Sequence, residues 1–164
     1  MSVSRETALR FERLRIEHIG PLLDIDAEAY PDPWTFGMFQ QEITNRSSHF
    51  FVAFAEDSVA GYGGFWLVAD EAHITKVTVV APLRGLGYGR EIMAHLLEMG
   101  ATLGATVARL EVRESNSRAR TLYERLGFEA TGVRHGYYAR CPEAALVMTR
   151  NLAGKAELET GLTE

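Results

Sequence analysis

The chain has 164 residues, 46% of them hydrophobic and 24% charged, a balance that supports one buried core without disulfide or metal staples. Lysine and arginine number 17 against 22 acidic residues, a net charge of −5 at pH 7, which argues against a protein held to nucleic acid or an anionic membrane by bulk charge. The single cysteine, Cys141, excludes an internal disulfide framework and every multi-cysteine zinc pattern.

Residues 1–15 mix Arg and Glu with single apolar side chains, so no signal peptide is expected. No run approaches the roughly 18 apolar residues of a membrane span, and a soluble cytoplasmic protein is expected. Residues 1–7 read as a flexible start, 8–152 as a single domain and 153–164 as an acidic, disordered tail. Leu9 and Phe11, with Arg13-Leu14 as an outer limit, predict a first strand. From Glu17 to about Ala29 the apolar positions Ile19, Leu22, Leu23, Ile25 and Ala29 share a helix face, with Pro21 early, where a missing N–H costs least. Tyr30-Pro31-Asp32-Pro33-Trp34 breaks that helix. Thr35 is an N-cap for a second helix to about Asn45, with Phe36, Phe39 and Ile43 inward.

His49–Ala55 and Val59–Leu67, joined by Glu56-Asp57-Ser58, predict a hairpin, and Ala72–Val80 a longer strand closed by Pro82. Arg84-Gly85-Leu86-Gly87-Tyr88-Gly89 is a glycine loop. A helix follows to about Leu103, with Ile92, Met93, Leu96, Leu97 and Leu103 on one face and Gly104 at its end. Val107–Arg113 is a strand and Ser117–Leu126 a short helix stopped by Gly127. Strands around Phe128–Arg134 and Ala144–Thr149 finish the chain. The helices are too few for a doubly wound parallel sheet, so the expected fold is α/β of the α+β type, a mixed, largely antiparallel sheet with helices on both faces.

Gly85, Gly87 and Gly89 remove every other Cβ at a strand-to-helix turn, so a ligand can approach the backbone closely. A helix start adds unpaired N–H groups and partial positive charge, which together suit a phosphate. Arg90 in the first turn opposes the dipole unless an anion sits there, and Arg84 adds a second cation. The plainer alternative is a tight turn with Glu91 satisfying the dipole. The spacing fits neither an NTPase P-loop nor a dinucleotide fingerprint.

Arg84 to Gly89 resembles the Arg/Gln-x-x-Gly-x-Gly/Ala signature of the GNAT superfamily of N-acetyltransferases. The resemblance extends through Leu110-Glu111-Val112-Arg113, Ser115-Asn116, Ala119 and Leu122-Tyr123-Glu124-Arg125-Leu126-Gly127-Phe128. Tyr30 to Thr35, Arg134-His135-Gly136-Tyr137-Tyr138 and Glu143 to Met148 are similar to the bacterial ribosomal-protein-alanine N-acetyltransferases. There the residue at Ala144 is usually Asp. The match spans about Leu9 to Leu152. It implies an acyl-CoA N-acyltransferase architecture and acetyl-CoA as cosubstrate, with the loop's main-chain amides (Arg84, Gly85, Leu86, Gly87, Tyr88, Gly89, Arg90) on its pyrophosphate.

Acyl transfer to an amine needs a neutral, aimed nucleophile, a stabilised oxyanion and a protonated leaving thiolate. Glu111 is the candidate base: alternation along Val107–Arg113 puts Arg109, Glu111 and Arg113 on one face, opposite Leu110 and Val112. A surface charge ladder is the alternative reading, and the resemblance favours the base. A glutamate of ordinary pKa, about 4.3, is a weak base for an ammonium, so relay through water or a raised pKa is expected. The resemblance also makes Tyr123 the acid for the departing thiolate, a position otherwise read as half-buried packing. It assigns Asn116, otherwise an N-cap, to the pantetheine or adenosine side.

Main-chain groups of Val77, Thr78 and Val79 can pair with the pantetheine amides as an added strand would, and the resemblance implies an oxyanion N–H in the same stretch. Tyr30, Pro33 and Trp34 with Tyr137 and Tyr138 form the expected acceptor side, Trp34 doubling as core, and Arg134 is a partner for an acidic or carbonyl group there. The five histidines lack metal spacing and read as structural or solvated; no metal is expected. Cys141 precedes Pro142 without a helix start to activate it, which favours direct transfer. The expected partners are acetyl-CoA and a protein or peptide N-terminus, a ribosomal protein among the candidates, and neither nucleic acid nor membrane. A small amine or lysine acceptor, and a non-catalytic CoA-binding sensor, stay open as alternatives.

Overall fold

The computed structural model describes residues 8–135 and 143–152; Tyr137, Tyr138 and Cys141, like the two terminal segments, lie outside them. Seven strands form a sheet in the order β1-β2-β3-β4-β5-β7-β6. They are β1 (Arg10–Arg13), β2 (Ser48–Ala55), β3 (Ser58–Val68), β4 (Glu71–Val79), β5 (Val107–Arg113), β6 (Glu129–Arg134) and β7 (Ala145–Asn151). The helices are α1 (Ile19–Ala29), α2 (Phe36–Thr44), α3 (Tyr88–Thr102) and α4 (Ser117–Arg125). The β1–β2, β2–β3, β5–β7 and β6–β7 pairs are antiparallel and β4–β5 is parallel, so the sheet is mixed and largely antiparallel. A parallel pair needs a crossover, and α3 lies in the connection from β4 to β5.

The chain divides into two compact units. One holds the described residues up to Trp66 together with Thr75–Leu96; the other holds Leu67–Ile74 and the described residues from Leu97 onward.

In the first unit the period-two pattern of β3 sets two faces. Tyr62 points to α1 and α2, its ring 5.6 Å from that of Phe39, inside a core of Leu14, Ile19, Leu22, Phe39, Phe50 and Val52. Gly61 and Gly63 point the other way, where a Cβ on Gly63 would stand 2.7 Å from the Lys76 carbonyl of β4 and 3.1 Å from Ile92 of α3. Helices therefore cover both faces here. Thr35 caps α2 by accepting from the Met38 N–H at 3.2 Å, and α2 buries Phe39 but leaves Phe36 45% exposed. The expectation that Phe36 faces inward is corrected: as the first helical residue, it stands before the turn whose buried face Phe39 defines.

In the second unit α3 ends on Gly104 at φ +100°. Ala105 N–H bonds Gly100 O and Gly104 N–H bonds Ala101 O, the paired bonds of a Schellman stop. Leu103 follows the last helical residue and is 42% exposed, so its expected place on the apolar face is also corrected. The strand β5 alternates as read, with Ala108, Leu110 and Val112 buried. Gly127, at φ +90°, stops α4.

Candidate active site

In the first unit β4 delivers the chain through a short 3-10 turn at Ala81–Leu83 into the glycine loop. Gly85 and Gly87 hold φ of 82° and 87°, values that a side chain makes costly. Gly89 differs. It lies inside the first turn of α3, has no positive φ, and a Cβ there would meet only Val79 Cγ2 at an ordinary 3.7 Å. Neither conformation nor packing demands glycine at 89, and its bare backbone leaves room for close approach. The first intrahelical bond near this end runs from Glu91 N–H to Gly87 O at 3.2 Å, and N–H groups ahead of it belong to the turn that a helix cannot satisfy internally. This geometry suits an anionic diphosphate. Tyr88 buries its side chain while Arg90 is exposed.

Arg84 is placed otherwise than the anion-site reading suggested. Its Nε donates to Val79 O at 3.0 Å and its Nη2 to Glu28 at 2.7 Å. The guanidinium spends its charge on α1 because Glu28 faces it there.

Tyr30 and Trp34, two of the residues expected on the acceptor side, pack around a buried ion pair. Tyr30 OH and Thr78 Oγ1 lie 2.6 Å apart, and burial pushes the Tyr30 phenol up. Trp34 packs edge-on to Phe39 and donates its backbone N–H to Asp26 Oδ2 at 2.8 Å, which is the core reading of this residue. Pro33 is exposed. Asp26 is fully buried and also accepts from the Tyr62 hydroxyl and from Lys76 Nζ, the latter at 2.7 Å. The ammonium sits 4.0 Å from the Trp34 ring centre and 4.6 Å from that of Tyr30, a cation–π box. Burial lowers the Lys76 pKa against the pull of Asp26. Neither Asp26 nor Lys76 was singled out from the sequence, yet both signals were there. Asp26 falls on the Ile19/Leu22 stripe, and Lys76 alternates with Ile74 and Thr78.

In the second unit β5 carries Glu111 on the face away from Leu110. The carboxylate is only 2% exposed, so it is no rung of a surface ladder. His73 Nε2 lies 2.5 Å from its Oε2, Arg109 Nη2 lies 3.2 Å from its Oε1, and Arg134 Nη1 lies 3.9 Å from the same oxygen. Arg109 also meets Glu71 at 3.5 Å. Register brings these together: His73 on β4 is the ladder partner of Arg109 on β5. Burial acts to raise the Glu111 pKa, but the bonds and charges of His73 and Arg109 outweigh it and hold the carboxyl below its ordinary value. Of the two alternatives expected for Glu111, relay through water or a raised pKa, these contacts disfavour the second. Arg134 meets Glu111 rather than standing apart for an acceptor, and His73, read as merely structural or solvated, is a direct partner of the candidate base. Tyr123 is half-buried on α4, its ring 6.1 Å from Phe128 in a T-shape. Asn116 caps α4 through the Ala119 N–H at 3.2 Å. Tyr137 and Tyr138 lie outside the described residues.

The chain matches the Acetyltransferase (GNAT) family over residues 19–128. It belongs to the GNAT acetyltransferase family. A Bacillus subtilis protein, named as a candidate ribosomal protein bS18-alanine N-acetyltransferase, is 33% identical over 144 residues, 87% of this chain and 95% of the relative. The ribosomal protein bS18-alanine N-acetyltransferase of Haemophilus influenzae is 30% identical over 138 residues, 84% of this chain and 88% of its own length. The crystal structure of the Escherichia coli ribosomal-protein-S18-alanine N-acetyltransferase superposes with a TM-score of 0.80 at 26% identity, over 88% of this chain and 94% of that one. This GNAT chain is thus an N-acetyltransferase, of a family that uses acetyl-CoA. The residues at the start of α3 fit the diphosphate of that cosubstrate. Where the resemblance had Asp, Ala144 is buried, a position a carboxylate would occupy only with a partner. Among the described residues no group of three or more His, Cys, Asp or Glu is placed to hold a metal, and no helix is long and apolar enough to cross a membrane.

Proposed function

We propose that this GNAT enzyme acetylates the N-terminal α-amine of a protein in the cytoplasm, with an alanine-first ribosomal protein as the acceptor class. Relatives named for that acceptor support the class. The observation that supports the cosubstrate half is the turn ahead of α3, where Gly85 and Gly87 hold positive φ and a bare Gly89 in the first helical turn leaves main-chain N–H groups open to an anion. In this reading main-chain N–H groups from Gly85 to Arg90 hold the diphosphate, the Arg84 N–H being donated to Ala81 O, and Val77, Thr78 and Val79 offer main-chain groups to the pantetheine arm. The Thr78 hydroxyl is already engaged by Tyr30, which leaves backbone as that residue's contribution. Asn116 is the polar group that the resemblance assigns to the pantetheine or adenosine part of the cosubstrate. Tyr30, Pro33, Trp34, Tyr137 and Tyr138 grip the acceptor.

An α-amine has an ordinary pKa of about 7.7–8.0, against about 10.4 for lysine, so the nitrogen needs little help to become neutral. As the N–C bond forms and the C–S bond breaks, Glu111 takes the proton from nitrogen and Tyr123 gives one to sulfur. No covalent acyl-enzyme is needed. Mass spectrometry of peptides incubated with the protein and acetyl-CoA tests this. A free N-terminal alanine peptide should gain one acetyl group, and its N-blocked counterpart none. Acetylation of lysine side chains alone, or no turnover, would overturn the reading.

A further inference from the structure

Between α1 and α2 the chain runs from Tyr30 to Thr35 with no helix or strand of its own. Pro31 and Pro33 have no N–H to give. Charge ties the stretch down at Trp34. The Trp34 main-chain N–H donates to Asp26 Oδ2 at 2.8 Å, and Lys76 Nζ donates to the same oxygen at 2.7 Å. Bonds to an ionised acceptor are roughly twice as strong as neutral ones. The ammonium also stands over the Trp34 ring at 4.0 Å and over the Tyr30 ring at 4.6 Å from their centres. A cation attracts a π face most strongly where water is excluded, and the Lys76 side chain is 9% exposed and that of Asp26 fully buried.

One face of β4 supplies both anchors of Tyr30. Lys76 and Thr78 are two residues apart, so their side chains leave the strand on the same side. Lys76 meets the ring, and Thr78 Oγ1 lies 2.6 Å from the hydroxyl. A phenol held at its face and at its oxygen has little freedom to turn or slide. The same strand carries the Val77, Thr78 and Val79 main-chain groups assigned above to the pantetheine arm.

From this arrangement we propose that Lys76, paired with Asp26, is a positioning residue for the acceptor. Its ammonium sets where Tyr30 and Trp34 stand relative to β4, and hence where the first residue of a peptide is presented to the thioester. The inference rests on the acceptor role given to Tyr30 and Trp34 above. Lys76 acts through the two rings. An apolar side chain of similar length would fill the space without doing this, because it draws neither ring by charge. Asp26 completes the device, since its charge strengthens the bond from Trp34 N–H and fixes the end of the flexible lysine stem.

The test is steady-state kinetics with an alanine-first peptide and acetyl-CoA, each varied while the other saturates. The proteins compared are the parent, Lys76→Met, and the double variant Asp26→Asn with Lys76→Met. The double variant removes both buried charges together, so neither is stranded, and the asparagine carbonyl can still accept from Trp34 N–H. Its unfolding midpoint should stay near the parent's. In both variants KM for the peptide should rise about tenfold, the order expected for losing desolvated cation–π contacts, while KM for acetyl-CoA holds. A parent-like peptide KM in the folded double variant would overturn the proposal. So would equal rises in both KM values, which mark general loosening rather than positioning.

A second measurement needs no turnover. Amide hydrogen exchange followed by NMR compares the parent with the double variant. Exchange at the Trp34 amide should quicken, and the Tyr30 ring signals should shift, while the Gly85 and Gly87 amides keep the parent's rates. Unchanged exchange at Trp34 with unchanged Tyr30 signals would overturn the anchoring. If the anchoring holds but the parent acetylates no N-terminal peptide, the function proposed above fails and the hold of Lys76 on Tyr30 and Trp34 stands.

Discussion

Two buried carboxylates, Asp26 in the first unit and Glu111 in the second, are built from similar parts and differ in what surrounds the parts. Each accepts from a nitrogen of a basic side chain at 2.5–2.7 Å and each side chain is 2% exposed or less. Around Asp26 every donor is internal: the Tyr62 hydroxyl, the Trp34 amide, and a Lys76 ammonium that is itself only 9% exposed and boxed by aromatic rings. Around Glu111 the partners reach outward, with His73, Arg109 and Arg134 at 27%, 37% and 55% side-chain exposure. A sealed pair holds chain segments in place. An open one can exchange protons. On the proposed reading, the exposure of the partners rather than burial of the acid is what separates a structural carboxylate from a reacting one.

The sharpest test of that contrast exchanges the two losses. Glu111→Gln should reduce kcat by about 10²–10⁴-fold, the usual worth of a general base, with an unfolding midpoint close to the parent's. Asp26→Ala should do the reverse, costing about 3–5 kcal/mol because it strands a buried ammonium, a loss read in denaturant melts. Equal stability loss in both variants would erase the distinction.

Tyr123→Phe comes next. It should lower kcat on the order of 10²-fold while acetyl-CoA affinity, measured by calorimetry, holds. Parent-like rates would return Tyr123 to its packing role against Phe128. At the loop, Gly89→Ala separates ligand from fold: a Cβ meets no clash there, so helix stability should rise by up to about 0.5 kcal/mol while coenzyme A binding weakens. Binding that survives the added methyl would remove the case for close backbone approach.

The smallest effect contrasts a buried histidine with the two carboxylates. Burial lowers the His18 pKa, with the Arg15 charge acting the same way, so the fold prefers the neutral ring. Stability from this residue is present above the ordinary value of about 6.5 and declines as pH falls through the lowered folded value. Thermal melts at pH 5 and pH 7.5 should show a drop that shrinks in His18→Gln.

Much of this was legible in one dimension. The alternation of Val107–Arg113 put Glu111 beside Arg109, the Thr35 cap and Gly104 stop fell where read, and the glycine loop stood between β4 and α3. Phe36 and Leu103 misled because a residue at a helix end keeps the period of a face without the neighbours that bury it. Arg84 misled because a cation beside a glycine loop looks the same whether or not an acid on another helix claims it. His73 had no local cue at all: its meaning depends on a partner 38 positions away.

From the sequence alone came the order of helices and strands, the faces they present, the anion-suited turn and the family, because each is written in spacings of a few residues that backbone geometry converts directly into shape. Only the tertiary structure decided that Asp26 is sealed by Lys76, that Arg84 turns to Glu28, and that His73 sits on Glu111. Those contacts depend on strand register and on how closely helices approach the sheet, and packing of the whole core sets both.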